Sequence, residues 1–115
     1  MNQDATLVIR FKDIEHDEDV QAHLERRLRQ ITQDFPEASH CELSLSADAM
    51  DVAAHAHLSG KRLDLAAHAV TGDARASGDS ALDKLQRELR REHDKRIFSR
   101  RREARREQGR RRATS

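Results

Sequence analysis

The sequence predicts an α+β fold, a β-α-β-β-β-α two-layer sandwich in which a four-stranded sheet carries two helices on one face. Three observations lead there. Four segments alternate apolar and polar residues with a period of two, two others repeat apolar residues at helical spacing, and each of the six has a single apolar face. Elements of that kind bury their apolar faces together, in two layers around one core.

Residues 6–12 set Leu7, Ile9 and Phe11 against Val8, Arg10 and Lys12, the alternation of a half-buried strand. Residues 13–16 are polar and turn-like. Asp17 then stands as a helix N-cap, with Glu18 and Asp19 beside it to suit the positive end of the helix dipole. From there Val20, Leu24, Leu28, Ile31 and Phe35 step by four, four, three and four, one apolar stripe along about five turns. Arg26, Arg27 and Arg29 lie off that stripe, and Pro36 ends the helix. Three strands follow. Residues 40–47 turn Cys41, Leu43, Leu45 and Ala47 inward; residues 51–59 do the same with Val52, Ala54, Ala56 and Leu58; residues 62–70 with Leu63, Leu65, Ala67 and Ala69. Gly60-Lys61 predicts a tight hairpin between the last two strands, and Asp48-Ala49-Met50 a looser one before them. The first two strands flank a helix and so should be parallel through a right-handed crossover, the remaining pairs antiparallel. A second helix runs over residues 73–98, opened by Thr71-Gly72 with Asp73 as N-cap. Its stripe is Leu82, Leu85 and Leu89, and Gly78 should loosen its first turns.

A chain of 115 residues fits one modest core. Hydrophobic residues make up only 36%, but they are grouped with period, and the deficit sits in an arginine-rich tail. The expected partition is therefore a domain over residues 1–98 and a tail over residues 99–115, flexible or partly helical with Gly109 as a stop. The formal net charge of +1 hides a split. Residues 80–115 hold 14 Lys/Arg and 6 Asp/Glu, a net of +8, whereas residues 1–79 hold 8 and 15, a net of −7. Such a chain can offer a polyanion one basic face while the rest repels it, which orients docking. The single cysteine, Cys41, excludes a disulfide within the chain and a cysteine-rich zinc site. No N-terminal run resembles a signal peptide and no segment approaches the ~20 apolar residues of a membrane span, so a cytoplasmic protein without a membrane partner is expected.

Catalysis finds little support. His55, His57 and His68 share the open face of the sheet, and an i, i+2 pair could hold a metal, yet solvated polar positions explain them better. Cys41 has the inward parity of a buried thiol. No phosphate loop, nucleophile elbow or His-Glu-x-x-His is present, so no enzyme, metal, cofactor or small-molecule substrate is expected. The second helix is more informative. Lys84, Arg87, Arg90, Arg91 and Lys95 lie off its apolar stripe. A solvated face with i, i+4 ion pairs such as Asp83–Arg87 would also explain a charge run. The one-signed excess from Arg87 onward, its extension into the tail and the acidic remainder favour a phosphate partner instead. The only aromatics are Phe11, Phe35 and Phe98, so there is no stacking platform for unpaired bases. Recognition should rest on RNA shape and phosphate.

Asp79 followed by Leu82-Asp83-Lys84-Leu85-Gln86-Arg87-Glu88-Leu89 resembles the signature of the ribosome hibernation promoting factor and ribosome-associated inhibitor family. The element order matches that family's domain over residues 5–97. Leu24, Arg27, Leu28, Ile31 and Phe35 fall where the family has its first-helix stripe and a basic residue, and Thr71-Gly72-Asp73 resembles its start of the last helix. The resemblance implies a protein that docks on the small ribosomal subunit, occupies the channel of messenger and transfer RNA, and silences idle ribosomes under stress or in stationary phase. It implies phosphate pairing by Arg27, Lys84, Arg87, Arg91 and Lys95, with Arg26 and Arg90 as further candidates. The chain departs from the family at Gln30, where lysine is common, at His23, where a large apolar residue is, and in its acidic first-helix start. It resembles the short form, which lacks the dimerising domain, and a monomer away from the ribosome is expected. Two other classes fit part of the pattern. One is a double-stranded RNA binder, disfavoured by the extra first strand; the other is a protein-interaction module working through the acidic half.

Overall fold

The computed structural model describes the backbone of residues 5–113 and the side chains of residues 5–95. Six elements follow in the expected order: β1 (Thr6–Lys12), α1 (Glu18–Asp34), β2 (Ala38–Asp48), β3 (Asp51–Gly60), β4 (Leu63–Thr71) and α2 (Ala74–Ala113). The sheet order is β1-β2-β3-β4. β1 runs parallel to β2, with Ile9 opposite Leu43, and the other two pairings are antiparallel. The 3.6-residue stripes of both helices close over the same face of the sheet. Leu24, Leu28 and Ile31 of α1 and Leu82, Leu85 and Leu89 of α2 are fully buried with Cys41, Leu43, Leu45 and Leu58 beneath them. Each such leucine contributes about 2 kcal/mol by leaving water. Ala47, assigned inward by parity, is exposed, because β2 there runs out past the helical layer into its hairpin.

Local sequence explains where the elements begin and end. The Asp17 carboxylate accepts from the backbone N–H groups of Asp19 (3.0 Å) and Val20 (3.2 Å), satisfying donors that the first turn of α1 leaves open. The Asp73 carboxylate does the same for Ala76 (2.7 Å) at the start of α2. Ser77, fully buried, donates to the Val52 carbonyl (2.6 Å), accepts from the Thr71 N–H (3.0 Å) and bonds the Thr71 hydroxyl (2.7 Å), tying β3, β4 and α2 together. Both hairpins are two-residue turns. Ala49-Met50 joins the Asp48–Asp51 pair and Lys61-Arg62 joins the Gly60–Leu63 pair, so the second turn sits one residue later than the glycine suggested.

The two informative glycines mark close approaches. A Cβ at Gly60 would lie 1.9 Å from the Glu37 carbonyl oxygen, so this strand end can press against the α1–β2 connection only without a side chain. A Cβ at Gly78 would lie 2.7 Å from both methyl groups of Leu24. Gly78 therefore brings α1 and α2 together, and the first turns of α2 are packed where looseness was expected. At its other end α2 passes Phe98 and Gly109 and remains helical to Ala113, 40 residues in all. At 1.5 Å per residue that is about 60 Å, more than the sheet beneath it can cover.

Candidate nucleic-acid interface

The stripe that buries Leu82, Leu85 and Leu89 fixes where every other side chain of α2 points. With 3.6 residues per turn, Lys84, Arg91 and Lys95 fall on the flank toward β4, and Arg87 and Arg90 on the outward side. All five are exposed. Together they line adjoining shallow hollows, one formed by Arg87, Arg90, Arg91, Asp94 and Lys95, another by Lys84, Arg87, Glu88 and Arg91 with Ala66 and Ala67 of β4. Their internal partners are weak ones. Arg91 pairs with Glu88 at 3.7 Å and Lys95 with Glu92 at 3.6 Å, exposed i, i+3 contacts of little net worth. Lys84 Nζ donates to the His68 carbonyl of β4 (2.8 Å), and Arg87 Nε to the Asp83 carbonyl (3.4 Å). The Asp83–Arg87 ion pair expected from spacing does not form, because the Asp83 carboxylate turns to α1.

On α1 the candidate arginines divide. Arg26 is exposed, whereas Arg27 is three-quarters covered and commits both terminal nitrogens to α2. Its Nη1 donates to the Asp79 carboxylate and carbonyl (3.0 Å each), and its Nη2 to Asp83 (2.8 Å) and Gln86 (2.7 Å). His23 Nε2 donates to the same Asp79 carboxylate (2.8 and 3.0 Å), while its Nδ1 accepts from Arg75 (3.4 Å). Burial works against the charge on Asp79, but the hydrogen bonds from Arg27 and His23 outweigh it and hold the carboxyl below its ordinary pKa. Burial likewise opposes the Arg27 charge, and its bonds to Asp79 and Asp83 overcome that and raise its pKa. Arg27 thus lies apart from the basic face of α2, in a clamp that sequence reasoning did not find. The partners on α2, Asp79, Asp83 and Gln86, are spaced four and three and so share one flank of the helix. The clamp also explains why a histidine stands at position 23.

The remaining candidates take the places expected of them. Cys41 is fully buried, and burial pushes its thiol up to about 11, far from a nucleophile's range. His55 and His68 stack across strands with ring centroids 4.5 Å apart, and His57 meets Asp64 on the same open face. Among the described residues no group of three or more His, Cys, Asp or Glu side chains could hold a metal. No described helix is long and apolar enough to cross a membrane.

A family model described as "Sigma 54 modulation protein / S30EA ribosomal protein" matches residues 7–97. The chain belongs to this family. The S30EA family match takes in α1, the four strands from Leu7 on and α2 as far as residue 97, and so includes Lys84, Arg87, Arg90, Arg91 and Lys95. Two solved structures share the fold. "Structure of an ribosomal subunit interface protein from Coxiella burnetii" superposes with a TM-score of 0.69 at 14% identity, over 77% of this chain and 99% of that one. "Crystal structure of Thermus thermophilus Protein Y N-terminal domain" gives 0.65 at 17% identity, over 76% and 97%. No curated protein matches the chain by sequence.

Proposed function

We propose that this S30EA family member docks on the small ribosomal subunit through the basic face of α2, occupies the channel used by messenger and transfer RNA, and keeps idle ribosomes silent without catalysing a reaction. The observation that carries the reading is the exposed set Lys84, Arg87, Arg90, Arg91 and Lys95 on α2 of a domain that matches the family over residues 7–97. Arg91 and Lys95 would give up only weak, exposed ion pairs on meeting phosphate, and Lys84 its hydrogen bond to the His68 carbonyl. Arg26 adds an exposed charge on α1. Arg27 acts by fixing the angle between the helices, which keeps the face in register. The Coxiella burnetii neighbour is described as a ribosomal subunit interface protein, which supports the same assignment.

Sedimentation of a stationary-phase lysate through a sucrose gradient tests it. The protein should travel with small subunits and intact ribosomes at low salt, and the triple variant K84E/R87E/R91E should remain at the top of the gradient. Wild-type protein found only in the soluble fractions would refute ribosome docking. A wild type that binds any RNA duplex as tightly as the subunit would favour a general double-stranded RNA binder.

A further inference from the structure

The family match ends at residue 97, but α2 stays helical to Ala113, about 24 Å further along its axis. Part of the basic pattern of the domain helix recurs in that extension. Eighteen residues make five turns, so positions 102 and 105 fall in line with positions 84 and 87, and positions 103 and 107 with positions 85 and 89. Lys84 and Arg87 are matched by Arg102 and Arg105, whereas Arg90, Arg91 and Lys95 are matched by Gln108, Gly109 and Ala113, so two of the five basic positions recur. Leu85 and Leu89, the core stripe, are matched by Glu103 and Glu107. The leucine stripe ends at Leu89, while basic residues continue at helical spacing: Lys84, Arg91, Lys95, Arg102 and Arg106 step by 7, 4, 7 and 4 residues.

We infer that the extension is a second nucleic-acid contact, a helical arm that carries the basic face of the domain along RNA phosphates lying beyond the domain's own footprint. Charge complementarity identifies the occupant. A partner helix would need an apolar stripe to pack against, and the glutamates at positions 103 and 107 remove it. A polyanion is met by a dense excess of cations, and residues 98–113 supply eight arginines against two glutamates. Consecutive arginines also repel one another along a helix, so neutralisation by phosphate favours the arm in its helical form. The inference rests on the ribosomal reading only for the identity of the RNA.

The test uses the full chain with R102Q/R105Q/R106Q, and in parallel K84Q/R87Q/R91Q, glutamine being a good helix former in both. Each is titrated against purified small ribosomal subunits and against a short RNA duplex over a series of salt concentrations, with far-UV circular dichroism as the fold control. The arm variant should bind both RNAs roughly tenfold or more weakly, and its log affinity should fall less steeply with log salt, by about 0.9 for each phosphate no longer neutralised. Unchanged affinity and slope for the arm variant, with binding abolished in the domain variant, would overturn the arm and leave the ribosomal reading standing. Weakened binding in the arm variant alone would support the arm and refute docking through the domain face. A wild type that self-associates at low salt, and ceases to do so in the arm variant without change in RNA affinity, would assign the arm to the acidic half of a second copy and overturn the inference.

Discussion

Arg27 shows how one residue type can serve two purposes that its spacing cannot separate. Its position on α1 suits a phosphate contact, but all its hydrogen bonds go to Asp79, Asp83 and Gln86 on α2. Hydrogen bonds involving charged groups contribute about 1.5–3 kcal/mol each when partly buried, so R27A should lower stability by about 2 kcal/mol in denaturant unfolding. Ribosome affinity should change less than in K84E/R87E/R91E, where the outward face itself is reversed. The Asp79 carboxyl titrates below its unfolded pKa of about 3.9, so its contribution is complete above that pH and is lost as pH falls through the folded value. Stability measured from pH 5 down to pH 2 should therefore drop less steeply in D79N than in the wild type. Sequence patterns separate buried from exposed positions here, as Leu24 and Arg26 illustrate. They do not separate an arginine facing solvent from one facing a neighbouring helix, since that depends on the rotation of α1 against α2.

At the scale of elements, Gly78 carries the least foreseeable role. Propensity alone makes a glycine inside a helix a defect costing about 1 kcal/mol. The structure instead uses the missing side chain to seat both methyl groups of Leu24. G78A should thus destabilise the protein by about 1 kcal/mol, the strain of moving a fully buried leucine exceeding the gain in propensity. In an L24A background the same substitution should become stabilising, and this reversal in a double-mutant cycle checks the contact directly. Strand order, the parallel β1–β2 pair and both N-caps were legible because each is decided by neighbours in sequence. Helix-to-helix distance was not, because it is set by a pair 54 residues apart. The turn after Gly60 was misplaced for a similar reason: this glycine answers to Glu37, a distant backbone atom, and not to its own hairpin.

For the whole molecule, the near-neutral total charge conceals a polarity with a measurable consequence. If the proposed docking holds, the acidic portion, residues 1–79, would be repelled by RNA while α2 is drawn to it, and the chain should approach the subunit with α2 foremost. Raising salt screens both effects, and the association rate should fall more steeply than expected from a net charge of +1. Stopped-flow binding at several ionic strengths measures this. Helical spacing revealed the domain part of the basic face, since Leu82, Leu85 and Leu89 fix its orientation. The length of α2 was less legible, because an arginine-rich segment with a glycine reads equally as a solvated tail.

One hydrogen bond of that face also bears on solubility. β4 is an edge strand, and edge strands expose unpaired carbonyls to which strands of other molecules can add. Lys84 covers one of them by donating to His68, placing a charge where a foreign strand would have to lie. On the proposed docking, Lys84 would leave that carbonyl for a phosphate, and the edge would then need cover from the ribosome. A variant without Lys84 has neither guard, so its concentrated solutions should aggregate through strand addition sooner than those of an otherwise equal Arg87 variant.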